Sequence, residues 1–304
     1  GLAAAEGMVD RGRSRLLHLI LTRPHRYRRA RAITMGITLA ILFGVPLSGL
    51  ARLDLWGDAH RALLRPVAFA QGLAAVLAAI VAFYVVTFLV NMPAGRMFCG
   101  FGCPVGQLSR FADAIDAFPA DPARRRRGWL ELGAFALALS LAVTLWWTAP
   151  TTFLAWPAGA FAAATVLTVA AVAVLHGRRW RWGFCRGFCP IGLYYSVVET
   201  GAPFGIDFDP AGTCIDCDAC DTICPVELAP RALDAVVPAP GGLAFDGMPG
   251  LNHCLHCGLC VEVCEHVTQK QPGHPAMGLR RLHRKPRRLI RPAGVPAIGS
   301  EPAS

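Results

Sequence analysis

Charge is scarce in this sequence. Of 304 residues only 16% are Asp, Glu, Lys or Arg, 54% are hydrophobic, and the mean hydropathy is +0.43. Soluble domains carry about a quarter charged residues, so an ordinary water-soluble enzyme is excluded. No glycine loop suited to cradling phosphates is present, which leaves nucleotide-driven chemistry without support. No C-x-x-C-H occurs either, so c-type haem attachment is absent. The twelve cysteines are too few for a disulfide scaffold, and they stand in clusters, which points to metal. The sequence opens on Gly1 without a methionine, as a piece of a longer chain would, and nothing is drawn from its first residues.

What is abundant is uncharged apolar sequence. The runs Ala32–Leu50, Val67–Met92, Leu132–Pro150 and Phe153–Leu175 each reach the ~20 residues that cross a hydrocarbon core. The net charge of +10 is nearly all arginine and flanks these runs, so it reads as a topology signal and not as a nucleic-acid surface. Residues 11–31 hold eight arginines and the loop 93–128 six, against three in the loop 51–66 and none at 151–152. The positive-inside rule then puts both termini, the second loop and everything after Leu175 in the cytoplasm. No A-x-A site follows the first run, so it is expected to be an uncleaved anchor. Trp146, Trp147 and Trp156 are expected at the outer interface, and Trp129, Trp180 and Trp182 at the inner one.

An internal repeat relates the two halves of this membrane region. Phe98-Cys99-Gly-Phe-Gly-Cys103-Pro104-Val-Gly106 matches Phe184-Cys185-Arg-Gly-Phe-Cys189-Pro190-Ile-Gly192 at a constant offset of 86. The unit is two spans plus a C-x3-C-P loop, repeated with parallel topology, which predicts an approximate two-fold axis along the membrane normal. Glycines at 100, 102 and 187 disfavour a helix between the paired thiols. Pro104 and Pro190 suit the first position of a following helix, placing Cys103 and Cys189 where a helix dipole favours thiolate. Cys99, Cys103, Cys185 and Cys189 are expected to share one metal or iron–sulfur site, because the cytoplasm disfavours the competing pair of disulfides.

The sharpest signal follows the last span: Cys214-x2-Cys217-x2-Cys220-x3-Cys224-Pro225, then Cys254-x2-Cys257-x2-Cys260-x3-Cys264. This is the bacterial ferredoxin spacing for 4Fe–4S clusters, in which the fourth cysteine of each run ligates the other cluster. One cluster is therefore assigned to Cys214, Cys217, Cys220 and Cys264, the other to Cys254, Cys257, Cys260 and Cys224. Glu265 stands where the second run would have proline, which touches its local turn but not its ligands. Structural zinc is the competing reading; the doubled triplet and Pro225 weigh against it. His176, His253 and His256 lie near the cysteines and are read as packing residues; Gln71 and Asn91 as interfacial or hydrogen-bonded between helices.

Over roughly residues 25–270 the sequence resembles the NapH/MauN-type membrane ferredoxins, with NosR-like and CcoG-like proteins as relatives. Four spans, two C-x3-C-P motifs and a two-cluster ferredoxin segment carry the resemblance. The flavin-binding domain of NosR-like relatives and the immunoglobulin-like domain of CcoG-like ones find no room in these residues. The resemblance implies a quinol dehydrogenase component in a bacterial inner (cytoplasmic) membrane. Such a component passes electrons from the quinol pool, its diffusible substrate, to a periplasmic ferredoxin or multihaem cytochrome. The alternative is a redox maturation factor for metalloenzyme or cofactor assembly. The expected fold is an all-α four-helix transmembrane bundle with a small α+β ferredoxin-like domain. Its divisions are a basic arm (1–31), a membrane domain (32–204) with motifs at 99–104 and 185–190, a ferredoxin domain (205–270), and a basic, Pro-rich, disordered tail (271–304) on the lipid surface. Partners are the bilayer, quinol and other electron-transfer subunits, with no nucleic acid.

Overall fold

The computed structural model of the chain describes residues 2–190, 192, 194, 203–233 and 253–281. Four helices are long and apolar enough to cross a membrane: α2 (Arg26–Ser48), α3 (Phe69–Ala94), α6 (Pro122–Thr144) and α7 (Ala158–Arg179). At ~1.5 Å per residue even the shortest spans a ~30 Å hydrocarbon core. Their large apolar side chains face outward, including Ile33, Ile37, Val81, Leu89, Leu130, Leu167 and Val172, as expected of helices solvated by lipid. Between α6 and α7, by contrast, Leu132, Ala136 and Ala162 are fully buried. The sequence reading of four spans holds, with α6 beginning ten residues earlier than its apolar run. Asp121 caps it by accepting the Arg124 N–H, Pro122 takes the first turn, and Arg124–Arg127 lie on the helix itself.

The bundle has two distinct ends. At one, β1 (Ala51–Arg52), β2 (Arg61–Ala62) and β3 (Arg65–Pro66) form a small antiparallel sheet. The segment after β1 is tied to the α6–α7 connection by Leu53 N–H to Trp146 O and Leu55 N–H to Trp147 O, both 3.0 Å. Buried Asp54 accepts from Thr152 Oγ1 at 3.0 Å, and its own N–H donates to His60 Nδ1 at 3.1 Å. The other end carries both C-x3-C-P motifs, the N-terminal helix α1 (Leu2–Thr22) and the cysteine-rich domain.

That domain pairs β4 (Phe204–Phe208) with β5 (Met277–Arg281) in antiparallel register, Ile206 opposite Leu279. Between them lie the short helices α9 (Ala219–Ile223) and α10 (Leu259–Val267), whose Ile223, Val261 and Val263 form a buried core with Ile206 and Leu255. Two divisions differ from the sequence reading. Residues 277–281 belong to the sheet, because Met277 and Ala276 are buried against its core, so the domain runs past 270; the tail from 282 onward lies outside the described residues. The basic arm is a packed helix: Leu17 and Ile20 sit in the same core, and Ser14 Oγ donates to Asp116 O at 2.8 Å. Trp146 and Trp182, expected at the interfaces, are core residues whose indole N–H groups donate to Leu42 O (2.9 Å) and Asp113 Oδ2 (2.7 Å).

Candidate metal centres

The two ferredoxin runs fold alike, forty residues apart. Asp216 (φ 48°) and His256 (φ 49°) adopt the left-handed conformation two residues after the first cysteine of each run, and Asp218 (φ 51°) and Gly258 (φ 78°) one residue after the second. Such turns are sparsely populated by non-glycine residues and here bend each C-x2-C-x2-C segment around a hollow. In the first loop Arg231 clamps Asp216 (3.2 Å), Asp218 and Asp221 (3.0 Å). In the second, His256 Nδ1 accepts the Ile206 N–H at 3.1 Å, tying the loop to β4 in the packing role expected of it.

The hollows sort the cysteines crosswise. One hollow is lined by Cys214, Cys217, Cys220 and, from the other run, Cys264, with Phe208, Ile215 and Met277 as apolar walls. A second is lined by Cys254, Cys257, Cys260 and Cys224, with Ile206, Val226 and Leu255. Backbone N–H groups approach the thiols: Leu228 to Cys224 Sγ at 3.3 Å and His256 to Cys254 Sγ at 3.4 Å. Four thiolates on one zinc would sit ~3.8 Å apart; among the described residues no three His, Cys, Asp or Glu side chains converge to hold a single ion. The donor set, four cysteines around each hollow, fits a polynuclear thiolate-ligated unit. Burial pushes the Cys220 thiol up to about 12 and the Cys224 thiol up to about 11, so binding of a metal there is what releases their protons.

The C-x3-C-P motifs adjoin the second cavity. The first begins in α4 (Met97–Phe101), and Cys103, extended at ψ 121°, precedes Pro104 at the start of α5 (Pro104–Asp116). The second begins in α8 (Arg181–Gly187). Short helices run through Gly100 and Gly187, where the sequence predicted none: Gly102 and Cys103 N–H both reach Phe98 O, as Phe188 and Cys189 N–H both reach Phe184 O. Gly100 serves close approach instead. A Cβ there would overlap the Leu255 carbonyl and lie 2.9 Å from Cys257 Cα. Asn91 Oδ1 accepts the Phe98 N–H (2.9 Å) and Thr34 Oγ1 donates to Phe101 O (3.0 Å), fixing α4 against the spans. Burial pushes the Cys99 and Cys185 thiols up to about 12, and burial likewise raises Cys103 despite backbone N–H donors from Gly106 and Val105. The helix N-terminus therefore does not by itself make Cys103 a thiolate.

Three arginines that sequence reasoning treated as topology markers belong to these sites. Arg31, 8% exposed, pairs with Glu262 and donates to Cys257 O at 2.7 Å. Arg96, 2% exposed, donates to Cys185 O at 3.0 Å and His253 O at 3.4 Å. Arg110 donates to Gly100 O and lies over the Trp182 ring. Nearness to the motifs was the sequence signal for Arg96 and Arg110; Arg31, whose partners Cys257 and Glu262 lie 226 and 231 residues away, carried none.

Among curated proteins the chain is similar to the methylamine utilization ferredoxin-type protein MauN of Methylorubrum extorquens AM1. The two are 28% identical over 243 residues, which cover 73% of this chain and 80% of that one. No family model matches the chain. No solved structure matches it.

Proposed function

We propose that the chain is a membrane-bound iron–sulfur electron-transfer protein that takes electrons from quinol and delivers them to a periplasmic redox system, its ferredoxin domain lying on the cytoplasmic face of a bacterial inner membrane. The observation that carries this reading is the crosswise sorting of eight cysteines around two apolar-walled cavities. Cys214, Cys217, Cys220 and Cys264 would hold one 4Fe–4S cluster, and Cys254, Cys257, Cys260 and Cys224 the other. Each cluster, when bound, stores and passes one electron, so the pair matches the two electrons that a quinol gives up with its two protons. The four apolar helices and the likeness to a ferredoxin-type protein support the membrane and redox parts of the reading. The arginine-rich loops at the motif-bearing end support the orientation.

The chain's own residues shape the sites. Ile206, Val226 and Leu255 keep water from the second cavity, while Arg31 and Arg96 place positive charge beside its loop. The test is to add a reduced quinol analogue to anaerobic, detergent-purified protein and follow the clusters by EPR. Cluster reduction is expected. Intact clusters that do not respond would overturn quinol as donor and favour delivery of electrons in metalloenzyme maturation. Cys264→Ser is expected to damage the cluster held by Cys214, Cys217 and Cys220, and to spare the one held by the run in which Cys264 itself stands.

A further inference from the structure

Four cysteines lie outside the ferredoxin quartets, and the fold gathers them. Cys99 and Cys185 pack against the same buried core, and Arg96, three residues before Cys99, donates to Cys185 O at 3.0 Å. None of the four is in a disulfide. The two motifs meet reciprocally. A Cβ on Gly106 would lie 3.1 Å from Cys99 O and 3.7 Å from the Trp182 ring; a Cβ on Gly192 would lie 3.2 Å from Cys185 O and against the Arg96 guanidinium. Trp182 and Arg96 are themselves equivalent positions of the 86-residue repeat, so the contacts obey an approximate two-fold relation that sets the four thiols around its axis.

Burial disfavours thiolate at these positions, and nearby donors offset part of that cost. Val105 and Gly106 offer backbone N–H groups to Cys103 Sγ, and Gly192 N–H lies 3.4 Å from Cys189 Sγ. Arg96, three residues before Cys99 in the first motif, reaches the second through the Cys185 carbonyl at 3.0 Å. A buried guanidinium and amides near the sulfurs lower the cost of thiolates around a metal core.

We propose that Cys99, Cys103, Cys185 and Cys189 together ligate a third, iron–sulfide-containing centre at the junction of the membrane bundle and the ferredoxin domain, with Arg96 as its positioning cation. The proposal rests on reading the chain as an iron–sulfur protein and adds a centre to it. Its place is set by two contacts with the buried ferredoxin loop: Gly100 packs on Leu255 and Cys257, and Arg96 donates to the carbonyl of His253, the residue before Cys254. The centre thus abuts the buried quartet and stands between it and the membrane.

The test uses the full chain, enriched in 57Fe and purified without oxygen, measured by Mössbauer spectroscopy, EPR and iron content. More iron is expected than the about eight atoms that two 4Fe–4S clusters hold, with a third spectral component. The paired substitution Cys99→Ser and Cys185→Ser should remove that component and leave the ferredoxin signals. Cys217→Ser with Cys257→Ser should do the reverse, and that reverse pattern in the unmodified chain would refute the ferredoxin reading while leaving this site standing. Arg96→Gln removes a positive charge beside the centre, so its midpoint potential should fall more than those of the ferredoxin clusters, and Arg96→Lys should restore most of the difference. An iron content of about eight in unmodified protein with both ferredoxin signals present, or an excess untouched by the Cys99 and Cys185 substitutions, would overturn the proposal.

Discussion

Arg31, Arg96 and Arg110 show how the same side chain can satisfy two demands. Each stands in a basic segment flanking an apolar helix, yet each guanidinium turns inward to a carbonyl of a cysteine loop. Guanidinium keeps its charge under burial better than an ammonium and presents several donors in a fixed plane, which suits a site whose ligands are anionic when loaded. The most enclosed of these pairs is Arg31 with Glu262, which is 0% exposed and has an Oε2 without a hydrogen-bond partner. Removing one member of such a pair leaves a buried charge uncompensated, at a cost of about 3–5 kcal/mol. Glu262→Leu alone should therefore lower the melting temperature sharply in a circular-dichroism melt of purified protein. The double change Glu262→Leu with Arg31→Met should recover much of the loss, and equal or additive losses would refute the pairing argument.

Among the elements, the short helix α4 is the joint between membrane and ferredoxin domain, and Gly100 makes the joint close. Because the atoms a Cβ would meet are backbone, Gly100→Ala cannot be relieved by a side-chain rotation. Amide exchange at Leu255–Gly258 should accelerate in that variant, whereas Gly133→Ala, with nothing within 4 Å, should leave it unchanged. Leu17→Asp should likewise free α1 from the ferredoxin core, read as faster exchange along residues 12–22. The reach of the sequence differs among these elements for a physical reason. Lipid-length apolar runs admit one solution, so all four spans were legible, and the arginine-bearing first turns of α2 and α6 escaped because hydropathy registers the apolar part alone. The cysteine spacing predicts a crosswise grouping, and the two hollows are lined in that grouping. The seating of α1, the pairing of residues 277–281 with 204–208 and the inward turn of Arg31 and Arg96 depend on contacts between distant segments, 231 residues apart for Arg31 and Glu262, and no local pattern encodes them.

Across the whole molecule, the two ferredoxin quartets differ in their access to water. Cys214 and Cys217 are exposed, beside Ile215 and the outward carboxylates of Asp216 and Asp218, whereas Cys224, Cys257 and Cys260 are buried where α4, α2 and α10 meet. The charge distribution follows the same axis. Residues 203–233 carry six acidic side chains and one arginine in a chain whose net charge is +10, and the Asp216 and Asp218 side chains, 86% and 67% exposed, make an acidic face beside the exposed cysteines. Attack on a cluster by oxidant or chelator requires access to its cysteine sulfurs, and burial slows that access for the inner quartet. Titration of anaerobic protein with ferricyanide and EDTA should therefore remove the EPR signal that is sensitive to Cys217→Ser well before the one sensitive to Cys257→Ser. High salt should speed the first loss, because both reagents are anions repelled by the acidic face and salt screens that repulsion over ~10 Å. Simultaneous loss of both signals, or earlier loss of the inner one, would contradict the arrangement of one quartet facing water and the other facing the membrane bundle.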